Sequence, residues 1–123
     1  MELDGRAYDS VAKLKLLFVC SRNRMRSPTA EAVFSGFEGV EALSAGTAPD
    51  AETPVSVELI EWADIVFAME GVHRKRLMNA FEALLKDKRV VVLGIRDEYA
   101  YMEPELVELL KSKVASYLPG LAD

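Results

Sequence analysis

Leu14-Lys15-Leu16-Leu17-Phe18-Val19-Cys20, then Ser21-Arg22-Asn23-Arg24-Met25-Arg26, then Ser27-Pro28-Thr29-Ala30-Glu31: the fold is decided by how this run is read. Its first part is a short apolar run with Lys15 as its one charge, which reads as a buried strand. An arginine-rich turn follows. Ser27-Pro28 reads as a helix start, with Ser at the cap and Pro at the first helical position. Behind it Ala30, Val33, Phe34 and Phe37 recur at helical spacing and predict one buried face, closed by Gly36 and Gly39.

Working outward, the same alternation continues. Val40–Ser44 reads as a second strand, ended by Ala45-Gly46, and Thr47–Thr53 as loop. Val55–Trp62 reads as a short helix and Asp64–Met69 as a third strand. Gly71–Lys86 is helical, with Leu77, Phe81, Leu84 and Leu85 on one stripe. Arg89–Ile95 reads as the fourth strand. A loop with Asp97, Tyr99 and Tyr101 leads to Pro104, which opens a last helix with the stripe Leu106, Leu109, Leu110, Val114 and Tyr117; Pro119-Gly120 ends it. The order β-α-β-α-β-α-β-α implies an α/β fold, a four-stranded parallel sheet covered by helices on both faces in three layers. Residues 1–13 read as an irregular lead-in and 14–123 as one domain. Ligands of such open sheets bind beyond the carboxyl ends of the strands, which singles out the loops after the first and fourth strands.

Composition narrows the function classes. The 123 residues suit one domain with one core. Hydrophobic residues make up 50%, with only seven Gly and five Pro, which argues against disorder. One cysteine excludes an internal disulfide framework and a four-Cys zinc site. Fifteen Lys and Arg against 20 Asp and Glu give a net charge of −5, unfavourable for general binding of nucleic acid or anionic membrane. The longest uncharged apolar runs, Leu16–Cys20 and Val90–Ile95, fall far short of the roughly 18–20 residues of a membrane span. The first 13 residues lack the apolar stretch of a secretory signal, so a cytoplasmic location is expected. No phosphate-binding Gly-Lys loop and no metal-ligand cluster is visible, and no cofactor is expected.

The first loop has a chemistry of its own. A cysteine ends a buried strand, and an arginine lies six residues on, at the first turn of a helix. A loop curled above a helix N-terminus directs its N–H groups to one point, and the helix dipole adds positive potential there. Arg26 supplies a planar fork that fits two oxygens of a phosphate. The same field favours the thiolate form of Cys20, and the Ser27 hydroxyl can donate to the sulfur. Such an oxyanion cradle with a nucleophile at its floor suits attack on phosphorus. A small buried cysteine beside a solvated basic loop would account for the same residues.

The run Phe18 to Glu31 resembles the signature of the low-molecular-weight protein tyrosine phosphatases, Val-Cys-x-Gly-Asn-x-Cys-Arg-Ser-Pro-x-Ala-Glu, placed just after the first strand. Ser44-Ala45-Gly46-Thr47 and Ala63-Asp64-Ile65-Val66-Phe67 through Met69 resemble two further segments of that family. The resemblance runs from about Leu14 to Tyr101 and implies a flavodoxin-like sheet in a short variant of the family. It implies that Cys20 is the nucleophile of a phosphocysteine intermediate. Arg26 would bind the phosphoryl group, Ser27 would stabilise the thiolate, and Ser21, Arg22, Asn23, Arg24, Met25 and Ser27 would form the phosphate cradle. Asn23 would hold the loop in shape through Ser44, since Asn tolerates left-handed backbone. Arg24 would face the rim and favour acidic substrates, or simply be solvated. A phosphotyrosine protein or a small phosphomonoester would be the substrate.

Two departures stand inside the loop. Arg22 replaces the family's Gly; a positive φ there would cost about 1–2 kcal/mol. Met25 replaces its second cysteine, which leaves an oxidised Cys20 without a neighbouring thiol. On the late loop, Arg96-Asp97-Glu98-Tyr99 stands where the family has Asp-Pro-Tyr. Asp97 is therefore the expected general acid, with Glu98 and Glu103 as competitors, and Glu98 in place of Pro. Tyr99 and Tyr101 are candidate walls for a phenyl phosphate slot, or partly buried loop tyrosines. His73 lies in the basic run His73-Arg74-Lys75-Arg76 and reads as a solvated helix residue, and Trp62 reads as core. The competing functions are an oxyanion-binding regulatory domain with little turnover, a thiol-coupled arsenate reductase, and a phosphocysteine carrier. The last does not require Arg26-Ser27.

Overall fold

The computed structural model describes residues 13–118. The lead-in, Lys13 apart, and the Pro119-Gly120 stop lie outside those residues. Strand β1 (Leu14–Cys20) is followed by helix α1 (Arg26–Phe34), β2 (Val40–Gly46), α2 (Val57–Trp62), β3 (Ile65–Ala68), α3 (Gly71–Leu85), β4 (Arg89–Val92) and α4 (Pro104–Val114), with a short 3₁₀ turn over Ala115–Tyr117. The four strands form one parallel sheet in the order β2-β1-β3-β4.

Strand β1 is central and buried on both sides, so its side chains feed two cores in alternation. Leu16, Phe18 and Cys20 face one cluster with Ala30 and Phe34 of α1 and Leu106, Leu110 and Val114 of α4. Leu17 and Val19 face the other, with Ile60 of α2 and Leu77 and Leu85 of α3. Phe18 stacks between Phe34 and Phe67, ring centroids 5.4 and 5.1 Å apart. Each such pair adds roughly 0.5–1.5 kcal/mol beyond area burial. Together they pin α1 over β1, which fixes both ends of the loop between them.

Most element ends shift by one to three residues from the sequence reading, and three differences bear on the site or the core. The helix begins at Arg26 with Met25 at its cap, so Ser27 is not the cap; its hydroxyl is used by Cys20 instead. Pro28 still falls in the first turn, where an N–H has no helical partner to lose. Strand β4 stops at Val92 rather than Ile95. Gly94 has φ +71, which turns the chain, although Leu93 and Ile95 still donate to Ala68 O and Met69 O. Trp62 is half-buried at the edge of the second cluster rather than inside it.

The strand order sets the position of the site. From β1 the chain crosses to β2 on one side, and from β2 it returns to β3 on the other. The carboxyl ends of β1 and β3 therefore flank the point where the order reverses, the usual crevice of an open α/β sheet.

Candidate active site

Four loops meet at that crevice. Cys20 ends β1, Gly46 ends β2, Met69-Glu70 leave β3, and Ile95 to Asp97 follow β4. Cys20, Ser21, Arg22, Arg24, Met25, Arg26 and Asp97 line a cleft of about 430 Å³.

The cradle is shaped by its carbonyls. Thr47, Ala48 and Glu52 donate backbone N–H groups to the carbonyls of Cys20, Ser21 and Arg22, at 2.9, 2.9 and 3.0 Å. All peptides are trans among the described residues. In a planar trans peptide the N–H points opposite to the preceding C=O. The N–H groups of Ser21, Arg22 and Asn23 are thus turned away from the 47–52 segment. That of Asn23 reaches the Cys20 Sγ at 3.2 Å. A run of N–H groups aimed to one side is the geometry of an anion nest.

Arg22 carries no left-handed strain. Among the described residues positive φ occurs, outside glycine, at Asn23 (φ 60) and Met102 (φ 60). The left-handed residue of the loop is the asparagine, a type that tolerates it. Its side-chain amide donates to Ser44 Oγ at 2.9 Å and to Ser27 Oγ at 3.0 Å. The Ser44 hydroxyl in turn donates to Glu31 Oε1 at 2.6 Å. Ser27 Oγ accepts from Asn23, stands 2.9 Å from the Cys20 Sγ, and has both that sulfur and Ala45 O at 3.4 Å within reach of its one hydrogen. Cys20 is 3% exposed, and its sulfur lies between the Asn23 N–H, which donates to it, and the Ser27 hydroxyl.

Arg26 is clamped from the far side. Its Nη1 donates to Glu70 Oε1 at 2.7 Å and to Ile95 O at 2.8 Å, and its Nε lies 3.8 Å from Asp97 Oδ1. The side chain is 4% exposed. With Nη1 committed, the Nε–Nη2 edge of the fork is left for the cleft. Asp97 itself is 70% exposed, at the rim of the cleft. Glu98 is exposed and does not line the cleft, and Glu103 accepts from the Ala100 N–H at 2.9 Å.

At the mouth Arg22 pairs with Asp50 at 3.1 Å and Arg24 with Glu52 at 3.6 Å, all well exposed. Such surface pairs contribute about 0–1 kcal/mol each. Tyr99 and Tyr101 are not among the residues lining the cleft. Tyr99 packs against the first core cluster, and burial together with Glu105, Glu98 and Glu103 pushes its phenol up. Tyr101 is half exposed, just ahead of Met102, whose N–H is held by Thr29 Oγ1 at 2.8 Å. Met25 is the apolar side chain at the rim, 43% exposed.

Three residues of the site escaped sequence reading. Glu70 holds Arg26. Gly46 lets the loop approach: a Cβ there would stand 2.4 Å from Ser21 O and 2.6 Å from Ala51 Cβ. His73, read as solvated, is fully buried, with its Nε2 2.9 Å from Ser21 Oγ. The helical spacing of His73 with Leu77, which is also buried, was the available signal. Gly46→Ala should displace the cradle and lower kcat/KM about a hundredfold, while the fold survives, because a misplacement of about 1 Å costs that much. Steady-state kinetics with a circular dichroism melt checks this; unchanged kinetics would mean that the loop does not need this close approach.

No family model and no curated protein matches the chain. Solved structures do. The YwlE arginine phosphatase of Geobacillus stearothermophilus is 25% identical, over 87% of this chain and 94% of its own, with a TM-score of 0.69. A YwlE arginine phosphatase variant with serine for its active-site cysteine, phosphorylated on that serine, is 27% identical over 85% and 95%, with a TM-score of 0.66. The low-molecular-weight protein tyrosine phosphatase of Streptococcus pyogenes shares the fold, with 17% identity over 87% and 92% and a TM-score of 0.69. In fold the chain is thus similar to arginine phosphatases at 25% and 27% identity and to a low-molecular-weight protein tyrosine phosphatase at 17%.

Proposed function

We propose that the chain is a metal-independent phosphatase that works through a phosphocysteine on Cys20. One observation carries the reading: a buried sulfur, in hydrogen-bond contact with the Asn23 N–H and the Ser27 hydroxyl, lies at the floor of a loop whose N–H groups turn inward, with Arg26 six residues on. The Cys20 sulfur attacks phosphorus, and the bond from phosphorus to the leaving oxygen breaks. The protonated Asp97 carboxyl gives its proton to that oxygen. Water then attacks the phosphocysteine, Asp97 takes a proton from it, and the P–S bond breaks to release phosphate and the thiolate. Arg26 and the loop N–H groups hold the equatorial oxygens, whose charge the transition state spreads.

Phosphotyrosine in protein is the first substrate class, from the loop resemblance, and a cytoplasmic location goes with it. Phosphoarginine is a second reading, favoured by the arginine phosphatases at 25% and 27% identity and by a cleft mouth without tyrosine walls. A phosphotyrosine peptide, a phosphoarginine peptide and para-nitrophenyl phosphate, each assayed with chelator at about pH 5–8, separate them. Asp97→Asn should lower kcat on the phosphotyrosine peptide about a hundredfold and on the better leaving group less. Equal activity of Asp97→Asn and wild type would remove Asp97 from the mechanism. Turnover of none of the three by a folded protein that binds phosphate would leave an oxyanion-binding domain.

A further inference from the structure

His73 sits at the first turn of α3, directly behind the phosphate loop. It is the one histidine of the chain, and it is fully buried. Its ring has two partners. Nδ1 accepts from the Glu70 N–H at 3.0 Å, and Nε2 lies 2.9 Å from Ser21 Oγ. An acceptor at Nδ1 leaves the ring proton on Nε2, so the ring donates to Ser21. Burial first, then the Arg26 charge, lowers its pKa to about 4, with Arg76 lowering it and Glu70 and Asp97 opposing. The neutral Nε2–H form is therefore the one present at neutral pH.

This direction of donation excludes a Ser-His nucleophile pair, because the ring gives its hydrogen rather than taking one. It also gives the ring two attachments of consequence. Ser21 is the residue whose N–H opens the inward-facing run of the cradle. Glu70 is the carboxylate that holds Arg26 Nη1. The first comes from the end of β1, the second from the end of β3.

We propose that His73 is a positioning residue of the phosphate site, one imidazole that fixes Ser21 of the cradle and Glu70 behind Arg26 at the same time. The proposal deepens the phosphatase reading and rests on it for its kinetic arm. Without the ring, the cradle and the arginine would lose their common support, and phosphate would meet two parts of a grip that move independently.

Three variants test it. In His73→Gln the amide nitrogen can stand near Nε2 and keep the donor to Ser21. In His73→Asn the amide oxygen can stand near Nδ1 and keep the acceptor for Glu70. His73→Ala keeps neither. Each is measured for urea stability, kcat and KM, and inorganic phosphate affinity by calorimetry. Wild-type imidazole nitrogens are followed by NMR between pH 5 and 8. The expected result is a fall of about ten- to hundredfold in kcat/KM for Ala with a weaker grip on phosphate, and partial recovery by Gln and by Asn. The wild-type ring should stay neutral and protonated on Nε2 across that range. Stability should rise with pH between about 4 and 6.5 more steeply in wild type than in Gln, because the unfolded histidine binds a proton there that the folded one does not.

Gln and Asn variants no better than Ala would overturn the proposal, since the ring would then act by packing alone. So would wild-type kinetics and phosphate affinity in a folded His73→Ala, or a ring titrating near 6.5. If Ala does not fold, the Gln and Asn pair carries the same comparison. If wild type turns over no substrate, the phosphatase reading falls, while the phosphate affinities still decide the role of His73.

Discussion

Replacing Cys20 with serine removes turnover, a fall on the order of 10⁴-fold or more in kcat, while inorganic phosphate still binds. The two halves of this result have separate causes. Turnover needs a nucleophile that is ionised near neutral pH, and a serine hydroxyl with no base beside it is not. His73 cannot supply the base, because its free hydrogen points to Ser21. Binding needs the inward N–H groups and Arg26, which are held by Thr47, Ala48, Glu52, Glu70 and Ile95 rather than by the sulfur. A serine oxygen can also accept from Asn23 N–H and Ser27 Oγ, so the loop should keep its shape. Steady-state kinetics and phosphate calorimetry on one preparation check both halves. Retention of more than about a hundredth of the activity would show that the sulfur is not the attacking atom.

Arg26→Lys should lower kcat/KM on the order of 10³-fold, with a smaller loss in phosphate affinity. The arginine does two things that a lysine cannot do together. Nη1 is committed to Glu70 and Ile95 O, and the opposite edge of the same plane faces the cleft. An ammonium has one charge centre, so a lysine drawn to Glu70 is withdrawn from the phosphate. The loss is greatest in the transition state, where charge spreads over the equatorial oxygens. Stability should fall only by about 1 kcal/mol, because Glu70 is 36% exposed and can be hydrated. Kinetics against phosphate esters with leaving groups of different basicity, alongside a urea titration, separates the two effects. A lysine variant with near-wild-type kcat/KM would mean that Arg26 is a structural ion pair and no more.

Sequence reading went furthest where the information is local. Leu14–Cys20 is a central strand because every residue from Leu16 on is buried, and an uninterrupted apolar run states that directly. Asn23 could be read as the left-handed residue of the loop from its own chemistry. The element order followed from periodicity, and with it the two loops after β1 and β4. The rest depends on strand order, which periodicity does not contain. Once β3 is known to lie beside β1, the residues after β3 must face the Cys20 loop, and these are Glu70 and His73. His73 read as solvated because Arg74, Lys75 and Arg76 follow it and are exposed, whereas one turn of helix carries His73 and Leu77 inward together. Gly46 is similar. Its need for an absent side chain comes from the Ser21 carbonyl, distant in sequence and brought close by the parallel register of Cys20 with Gly46. Strand β4 was drawn too long because Leu93 and Ile95 are buried like strand residues, and only the φ +71 of Gly94 shows the turn between them.

The central claim is a covalent phosphocysteine on Cys20, and the most direct measurement looks for it. Asp97→Asn is mixed rapidly with para-nitrophenyl phosphate, quenched in acid, digested and analysed by mass spectrometry, with Cys20→Ala as control. The account predicts a burst of para-nitrophenol matched by phosphate on the peptide that carries Cys20, and none on the control peptide. A burst without phosphate on that peptide, or steady turnover by the Cys20→Ala control, would contradict it.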